Sequence, residues 1–329
     1  MKVEMWQLKQ RQSLPLDIKE KFSKQRIKAF YENFEGNVYV SFSGGKDSLV
    51  LLHLVRSIYP NVEGICIGTE PPENLDLVRQ TPNCQILYPK IPMNKVIETK
   101  GYPLISKEVS KNISRYRNTK SQVMKEKYLN GDGKGKKMCM IPKKWQFLIN
   151  APFKISELCC DICKKKPLKD FQKKSKKYPI IGTMTEESRI RQLKYLKNGC
   201  NVFEGNFIQS TPIAFWTEKD IWDYIKKYNL TYSKWYDLGY TRSGCFQCLF
   251  GIQNEKQPNR IQMMQKTHPT HYKFCIEKLH YDKVLSYIKV PYTMEFKQEN
   301  LKEVKSGCDA NDDGIPPNNK LLGILPNEL

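Results

Sequence analysis

The chain of 329 residues is 40% hydrophobic, enough to bury a full core, and carries a net charge of +21 with eleven cysteines. No apolar run approaches a membrane span, and the opening MKVEMWQLKQRQ has no apolar leader core, so a soluble, cytoplasmic protein is expected and membrane and secreted classes are excluded. In such a chain the cysteines read as thiols or metal ligands rather than as a disulfide framework. The charge is concentrated: residues 101–200 hold 25 Lys/Arg against 8 Asp/Glu. That excess points to a polyanionic partner, nucleic acid first, with a solvated Lys-rich face as the bland alternative.

Residues 16–34, following Pro15, have helical spacing and predict a helix packed beside the first strand. A strand at 38–42, a glycine turn and a helix at 46–58 follow, then strands at 62–68 and 84–88. Residues 118–144 show no clear period and read as a basic insertion. A strand at 178–184 and a helix from Glu187 to Leu196 restore the α/β pattern. From Thr217, a plausible N-cap with Asp220 at the third helical position, the chain turns helical. Strands alternating with helices predict an α/β fold with a doubly wound parallel sheet. The expected organisation is a helical segment at 1–36, an α/β domain at 37–215, a helical region at 216–292 and a flexible tail at 293–329.

The strand-to-helix turn carries Ser43, Gly44, Gly45, Lys46, Asp47 and Ser48. Two glycines there let backbone N–H groups approach an anion at a helix N-terminus, where the dipole favours negative charge. The spacing is not that of a Walker A loop, which has four residues between its first glycine and Gly-Lys. The stretch resembles the pyrophosphate loop of the PP-loop ATP pyrophosphatases, whose fold is of the adenine nucleotide α-hydrolase kind. The resemblance implies that ATP is split between its α and β phosphates to adenylylate an acceptor. Ser43, Gly44, Gly45 and Ser48 would then donate to phosphate oxygens, Lys46 would neutralise charge as a catalytic residue, and catalytic Asp47 would help hold Mg²⁺.

Cys159 and Cys160 are adjacent, and Cys245 and Cys248 follow about 85 residues on in a Cys-x2-Cys spacing. Four thiolates suit an iron-sulfur cluster, with structural zinc as the alternative. A Cys-Cys pair at that distance from Cys-x2-Cys is similar to the signature of the sulfonucleotide reductases, the adenylyl-sulfate and phosphoadenylyl-sulfate (PAPS) reductase family, and implies a [4Fe-4S] centre on these four residues. Lys164, Pro167 and Leu168 occupy the family's positions after the pair, with Cys163 where an arginine belongs, and Lys164 is a further catalytic candidate. Gly182, Ser188 and Arg191 match its nucleotide-binding strand end, and Pro212, Trp216, Thr217, Asp220 and Trp222 its Pro-x3-Trp-Thr segment. The resemblance covers roughly residues 37–250.

Two departures matter. The reductases' C-terminal Glu-Cys-Gly-x-His is missing, Cys308 standing alone in SGCD, and the paired arginines that grip the sulfonucleotide are Met184 and Thr185 here. The phosphate loop, eroded in reductases, is intact. The chain in this respect resembles the DndC-like members associated with sulfur in the DNA backbone and the reductase-like proteins of phages and mobile elements. The leading expectation is an ATP-cleaving enzyme supporting sulfur transfer to nucleic acid, DNA or tRNA, fed by a donor such as a cysteine desulfurase. A sulfonucleotide reductase with a displaced or external thiol, and a non-catalytic nucleotide- and DNA-binding regulator, are the alternatives. Glu186, Glu187 and Arg189 are weaker candidates beside the strand end, as are His268, His271 and His280; Trp216, Trp222 and Tyr224 read as core, and Cys163 as a thiol able to carry a persulfide.

Overall fold

The structure, a computed structural model, describes residues 3–131, 139–205 and 207–294. Most of the glycine-lysine run at 131–137, Cys308 and nearly all of the tail expected at 293–329 lie outside the described residues.

Six strands form one sheet in the order β3-β2-β1-β4-β6-β5: β1 Val38–Ser41, β2 Gly64–Ile67, β3 Cys84–Leu87, β4 Tyr178–Ile181, β5 Asn201–Val202 and β6 Gln209–Ser210. Every pairing is parallel except the short β5–β6 pair, so the fold is the doubly wound α/β type. Central strands covered on both faces are apolar throughout: Val38, Tyr39 and Val40 of β1 and all four residues of β2 are buried. The register sets Val40 against Gly64 on one side and Ile180 on the other.

Helices α1 (Met5–Gln12) and α2 (Leu16–Asn33) precede the sheet, and α3 (Lys46–Arg56) leaves the glycine turn. Ile27 and Phe30 of α2, Leu51 and Leu54 of α3, and Trp216 and Tyr224 pack on β1 to form the first core. Each fully buried side chain of this size contributes about 1.5–3 kcal/mol. Helix α11 (Glu218–Lys227) starts as its sequence predicts: the Thr217 side chain accepts from Asp220 N–H, and Asp220 closes the capping box. Its buried carboxylate also meets Lys19 at 2.6 Å, fastening α11 to α2.

A second core lies apart from the sheet. Val96 and Ile97 of α5 (Met93–Lys100), Ile113 of α6 (Lys107–Asn118), Leu148, Ile261 of α12 (Arg260–Thr267), Cys275 of α13 (Pro269–Glu277) and Leu285 of α14 (Tyr281–Tyr287) meet there. The stretch read as aperiodic at 118–144 in fact contains α7 (Gln122–Asn130), a helix whose pattern is weak because Tyr128 alone is buried while Val123 is exposed. Arg117 at the end of α6 donates to the carbonyls of Leu148, Ile149, Ala151 and Phe153, satisfying the otherwise unpaired oxygens at the end of the 3-10 helix Lys143–Asn150. Among the described residues no helix is long and apolar enough to cross a membrane.

Candidate active site

The phosphate loop runs from β1 into α3, with Gly45 as the N-cap and no side chain satisfying that cap. Gly44 has φ of +72°, and a Cβ there would collide with the Asn74 carbonyl oxygen. A Cβ on Gly45 would stand 2.5 Å from Ser243 Oγ, and one on Gly182 would stand 3.0 Å from the Asp47 carbonyl. Glycine is therefore required for close backbone approach at all three positions. The turn is pinned internally: Ser48 Oγ donates to the Gly45 carbonyl at 2.9 Å and accepts from Ser43 N–H at 3.1 Å. Helix α4 (Pro72–Gln80) supports it from outside, Asn74 Nδ2 donating to the Ser43 carbonyl.

Lys46 is buried, 6% exposed, yet its ammonium lies 3.3 Å from both Asp47 Oδ1 and Glu218 Oε1. Burial would depress its pKa, but Asp47, Tyr236 and Glu218 outweigh it and hold the group above the ordinary lysine value. Burial raises the Asp47 carboxyl, with Lys46 opposing. Tyr236 accepts from Lys46 N–H at 2.9 Å through its hydroxyl, so the segment before Cys245 lies over the loop.

The strand-end residues converge on the same place. Ser188 caps α10 (Arg189–Asn198) by accepting from Arg191 N–H. Arg191 pairs with Glu187 and acts electrostatically on Asp47; Arg242 approaches Glu187 from the far side at 3.6 Å. Glu186 accepts from Glu218 N–H at 2.7 Å and so serves the start of α11. Met184 and Thr185 are both buried, 2% and 4% exposed, and present no cation.

The four expected ligand cysteines gather at the second core. Cys159 and Cys160 end the short helix α8 (Leu158–Cys160), which runs through a π-helical turn, Asp161–Lys165, into α9 (Lys166–Ser175). The extra residue of a π turn redirects the side chains that follow, a feature common at functional sites. The Cys159 and Cys160 thiols hydrogen-bond to each other, which raises Cys159 and lowers Cys160; Lys107 and Lys164 add to the lowering. Cys245 and Cys248 both push Cys159 further up, and burial together with Cys245 raises Cys248 to about 11. Among the described residues no three or more His, Cys, Asp or Glu side chains are already grouped as a metal site. The donor chemistry nonetheless fits a thiophilic centre, since all four groups are sulfurs that lower one another's tolerance for negative charge until a cation binds.

A chain of contacts joins the two regions. Lys164, on the π turn, meets Glu70 Oε1 at 2.6 Å and hydrogen-bonds Cys245; Glu70, 6% exposed, follows β2. Burial alone would lower Lys164, but Glu70 and Cys245 raise it well above the ordinary lysine value. Thr69 Oγ1 stands 3.3 Å from Cys245 Sγ, and its carbonyl accepts from Phe246 N–H. Thus Lys164 sits on the cysteine side of the site and Lys46 on the phosphate side. Cys163 is fully buried, its thiol raised to about 11 chiefly by burial.

Sequence reasoning missed Glu70, Thr69, Asn74, Tyr236, Ser243, Arg242 and Glu73. Glu73 Oε1 lies 2.8 Å from His268 Nε2, which tethers α4 to the start of α13. Their positions follow strand ends, the usual ligand-facing edge of an open α/β sheet, and that was the one signal available for Thr69 and Glu70.

A glycine-cradled anion loop at the end of a parallel strand, facing a set of thiols, defines a nucleotide-handling α/β protein of the PP-loop kind. The phosphoadenosine phosphosulfate reductase domain family matches residues 37–249, and the chain belongs to that family. It is 28% identical over 244 residues to an uncharacterized protein of Methanocaldococcus jannaschii, covering 72% of this chain but about half, 48%, of that protein. An adenosine 5'-phosphosulfate reductase of Bacillus cereus is 25% identical over 222 residues, covering 68% and 77% of the two chains. Among solved structures, PAPS reductase from Candida auris in a phosphate complex aligns with TM-score 0.41 and 19% identity over 72% of this chain and 98% of its own. The U34-tRNA thiolase NcsA of Methanococcus maripaludis with its [4Fe-4S] cluster aligns with TM-score 0.34 and 15% identity over 83% and 80%.

Proposed function

We propose that the chain binds ATP with Mg²⁺ at Ser43–Ser48, cleaves it to AMP and pyrophosphate by adenylylating an acceptor oxygen, and supports sulfur transfer to that acceptor, a nucleic acid. The observation that carries the reading is the loop itself: Gly44 and Gly45 leave no room for a Cβ, and a buried lysine stands at the helix start. Such a cradle suits a polyphosphate. The buried Met184 and Thr185 leave the positions that grip a sulfonucleotide in reductases without a cation, which favours ATP.

In this reading the acceptor oxygen attacks the α-phosphorus and the bond to the β-phosphate breaks. Lys46 exchanges part of its pairing with Asp47 and Glu218 for the departing pyrophosphate, and Asp47, so released, faces Mg²⁺. The Ser43 and Ser48 hydroxyls, with those of Tyr236 and Ser243, donate to phosphate oxygens, and Gly182 keeps the neighbouring strand end against the loop. Arg191, positioned by Ser188 and Glu187, supplies charge toward the α-phosphate. Cys159, Cys160, Cys245 and Cys248 would hold an iron-sulfur cluster, with zinc as the alternative, and a bound cluster would supply a soft site for sulfur. Lys164 holds the Cys245 thiolate against Glu70 and so orients the cysteine set toward the nucleotide. The sulfur donor is an external persulfide source such as a cysteine desulfurase. The intact loop keeps the chain with the DndC-like branch of the family, and cytoplasmic location belongs to the same reading.

Lys46→Ala is expected to lower pyrophosphate release by about 10²-fold or more while circular dichroism stays unchanged. Retained release in that variant would refute the assignment. The reductase relatives favour a second reading, sulfite release from a sulfonucleotide with an external thiol, and thioredoxin-dependent sulfite formation would support it.

A further inference from the structure

A cavity of about 370 Å³ opens beside Cys160, away from the phosphate loop, between α6 and the α8 turn. That volume is within the range, about 300–1,000 Å³, of sites that hold a small organic group. One wall is α6, where Lys107, Lys111 and Arg115 recur at every fourth residue and so stand on one face across about 12 Å of helix. Among the described residues none of the three has a carboxylate within ion-pair distance. On the opposite wall Asp161 is already matched by Lys165 at 2.6 Å. The remaining carboxylates of the lining, Glu108 and Glu157, add acceptors beside these donors.

The interior holds the second observation. Asn112 lines the cavity, is 2% exposed, and its Nδ2 has no hydrogen-bond partner. A buried amide donor left unsatisfied loses about 1–3 kcal/mol relative to a paired one, so it stands as a reserved partner for an acceptor that arrives from outside. Cys139, held at φ of +70°, and Cys160 complete the thiol-bearing side.

We propose that this cavity takes one nucleotide unit of a single-stranded nucleic acid. Its phosphates lie along Lys107, Lys111 and Arg115, and its base enters the cavity, where Asn112 Nδ2 donates to a base acceptor and the carboxylates accept from base N–H groups. Cations that track a backbone and interior polar groups that read an unstacked base are the two halves of single-strand recognition. The placement beside Cys160 brings that base to the cysteine set. The naming of a nucleic-acid strand rests on the proposed acceptor, but binding requires no ATP cleavage, so the two readings fail separately.

The test is fluorescence anisotropy of a single-stranded RNA of about 12 nucleotides, within the known range of single-strand site sizes, titrated with the full chain without ATP at several salt concentrations. Lys111→Gln/Arg115→Gln is expected to weaken binding at least tenfold and to reduce the log–log salt slope by about two. Asn112→Leu removes an unsatisfied buried donor, so its melting temperature is expected to hold or rise while RNA affinity falls several-fold. A merely structural Asn112 would leave affinity untouched, and that result would overturn the proposal. So would unchanged binding in the double variant, or binding of free AMP, UMP, CMP or GMP that depends on these residues with no binding of the RNA. ATP affinity, measured in parallel, is expected to be unchanged in both variants and lost in Lys46→Ala; loss of ATP binding alone in the wild-type chain would sink the activation reading and leave this one standing.

Discussion

The phosphate loop and the cysteine set are built by opposite means. Six consecutive residues between one strand and one helix make the loop, and its hydrogen bonds close within Ser43–Ser48. The cysteines come from segments about 85 residues apart and meet because α5, α6, α12, α13 and α14 share a second core around Cys159 and Cys163. One site is therefore preformed by local geometry, and the other depends on tertiary packing and on the cation that neutralises its thiolates.

That difference can be broken or sharpened by substitution. The largest expected effect is at Gly44. An alanine there faces both a positive φ and the Asn74 carbonyl, so Gly44→Ala should destabilise the fold by about 1–3 kcal/mol and abolish ATP binding, while metal content per chain stays the same. Loss of metal as well would show that the two regions are not independent.

Next, Cys159→Ser or Cys245→Ser should strip bound iron or zinc, read by elemental analysis after anaerobic purification, and lower the melting temperature. ATP affinity should change less than threefold in the same samples, a factor worth under about 1 kcal/mol. Smaller again is the linker. Glu70→Gln keeps a hydrogen bond to Lys164 but removes its counter-charge, so sulfur transfer should fall by about tenfold with pyrophosphate release intact. An equal fall in both steps would place Glu70 on the nucleotide side.

The smallest effect concerns His271, which stacks on Phe246 between two of the cysteines with ring centroids 4.1 Å apart. Burial, with His268 adding, pushes its pKa down to about 4 from the usual 6.5. Its contribution to stability is full above pH 6.5 and is lost as pH falls toward 4, because the unfolded chain takes up the proton first. His271→Phe should flatten that part of the stability profile, measured by urea unfolding between pH 7 and 4.

The same contrast explains what the sequence disclosed. The strand, turn and helix around Ser43–Ser48 were legible because apolar alternation, glycines and helical spacing are local signals, and Thr217 with Asp220 announced α11 for the same reason. The cysteine spacing was legible as a pattern, but its junction to the loop was not. Glu70 and Tyr236 look like ordinary loop residues until folding sets one against Lys164 and the other on Lys46 N–H. Helix α7 escaped notice because a single buried side chain leaves no period to read.

Calorimetric titration of the anaerobically purified chain with ATP and Mg²⁺, adenylyl sulfate and phosphoadenylyl sulfate, in parallel, tests the central claim most directly. The account predicts that ATP binds most tightly and that Lys46→Ala removes the binding heat. A preference for either sulfonucleotide would contradict it and make the chain a reductase that draws its thiol from elsewhere.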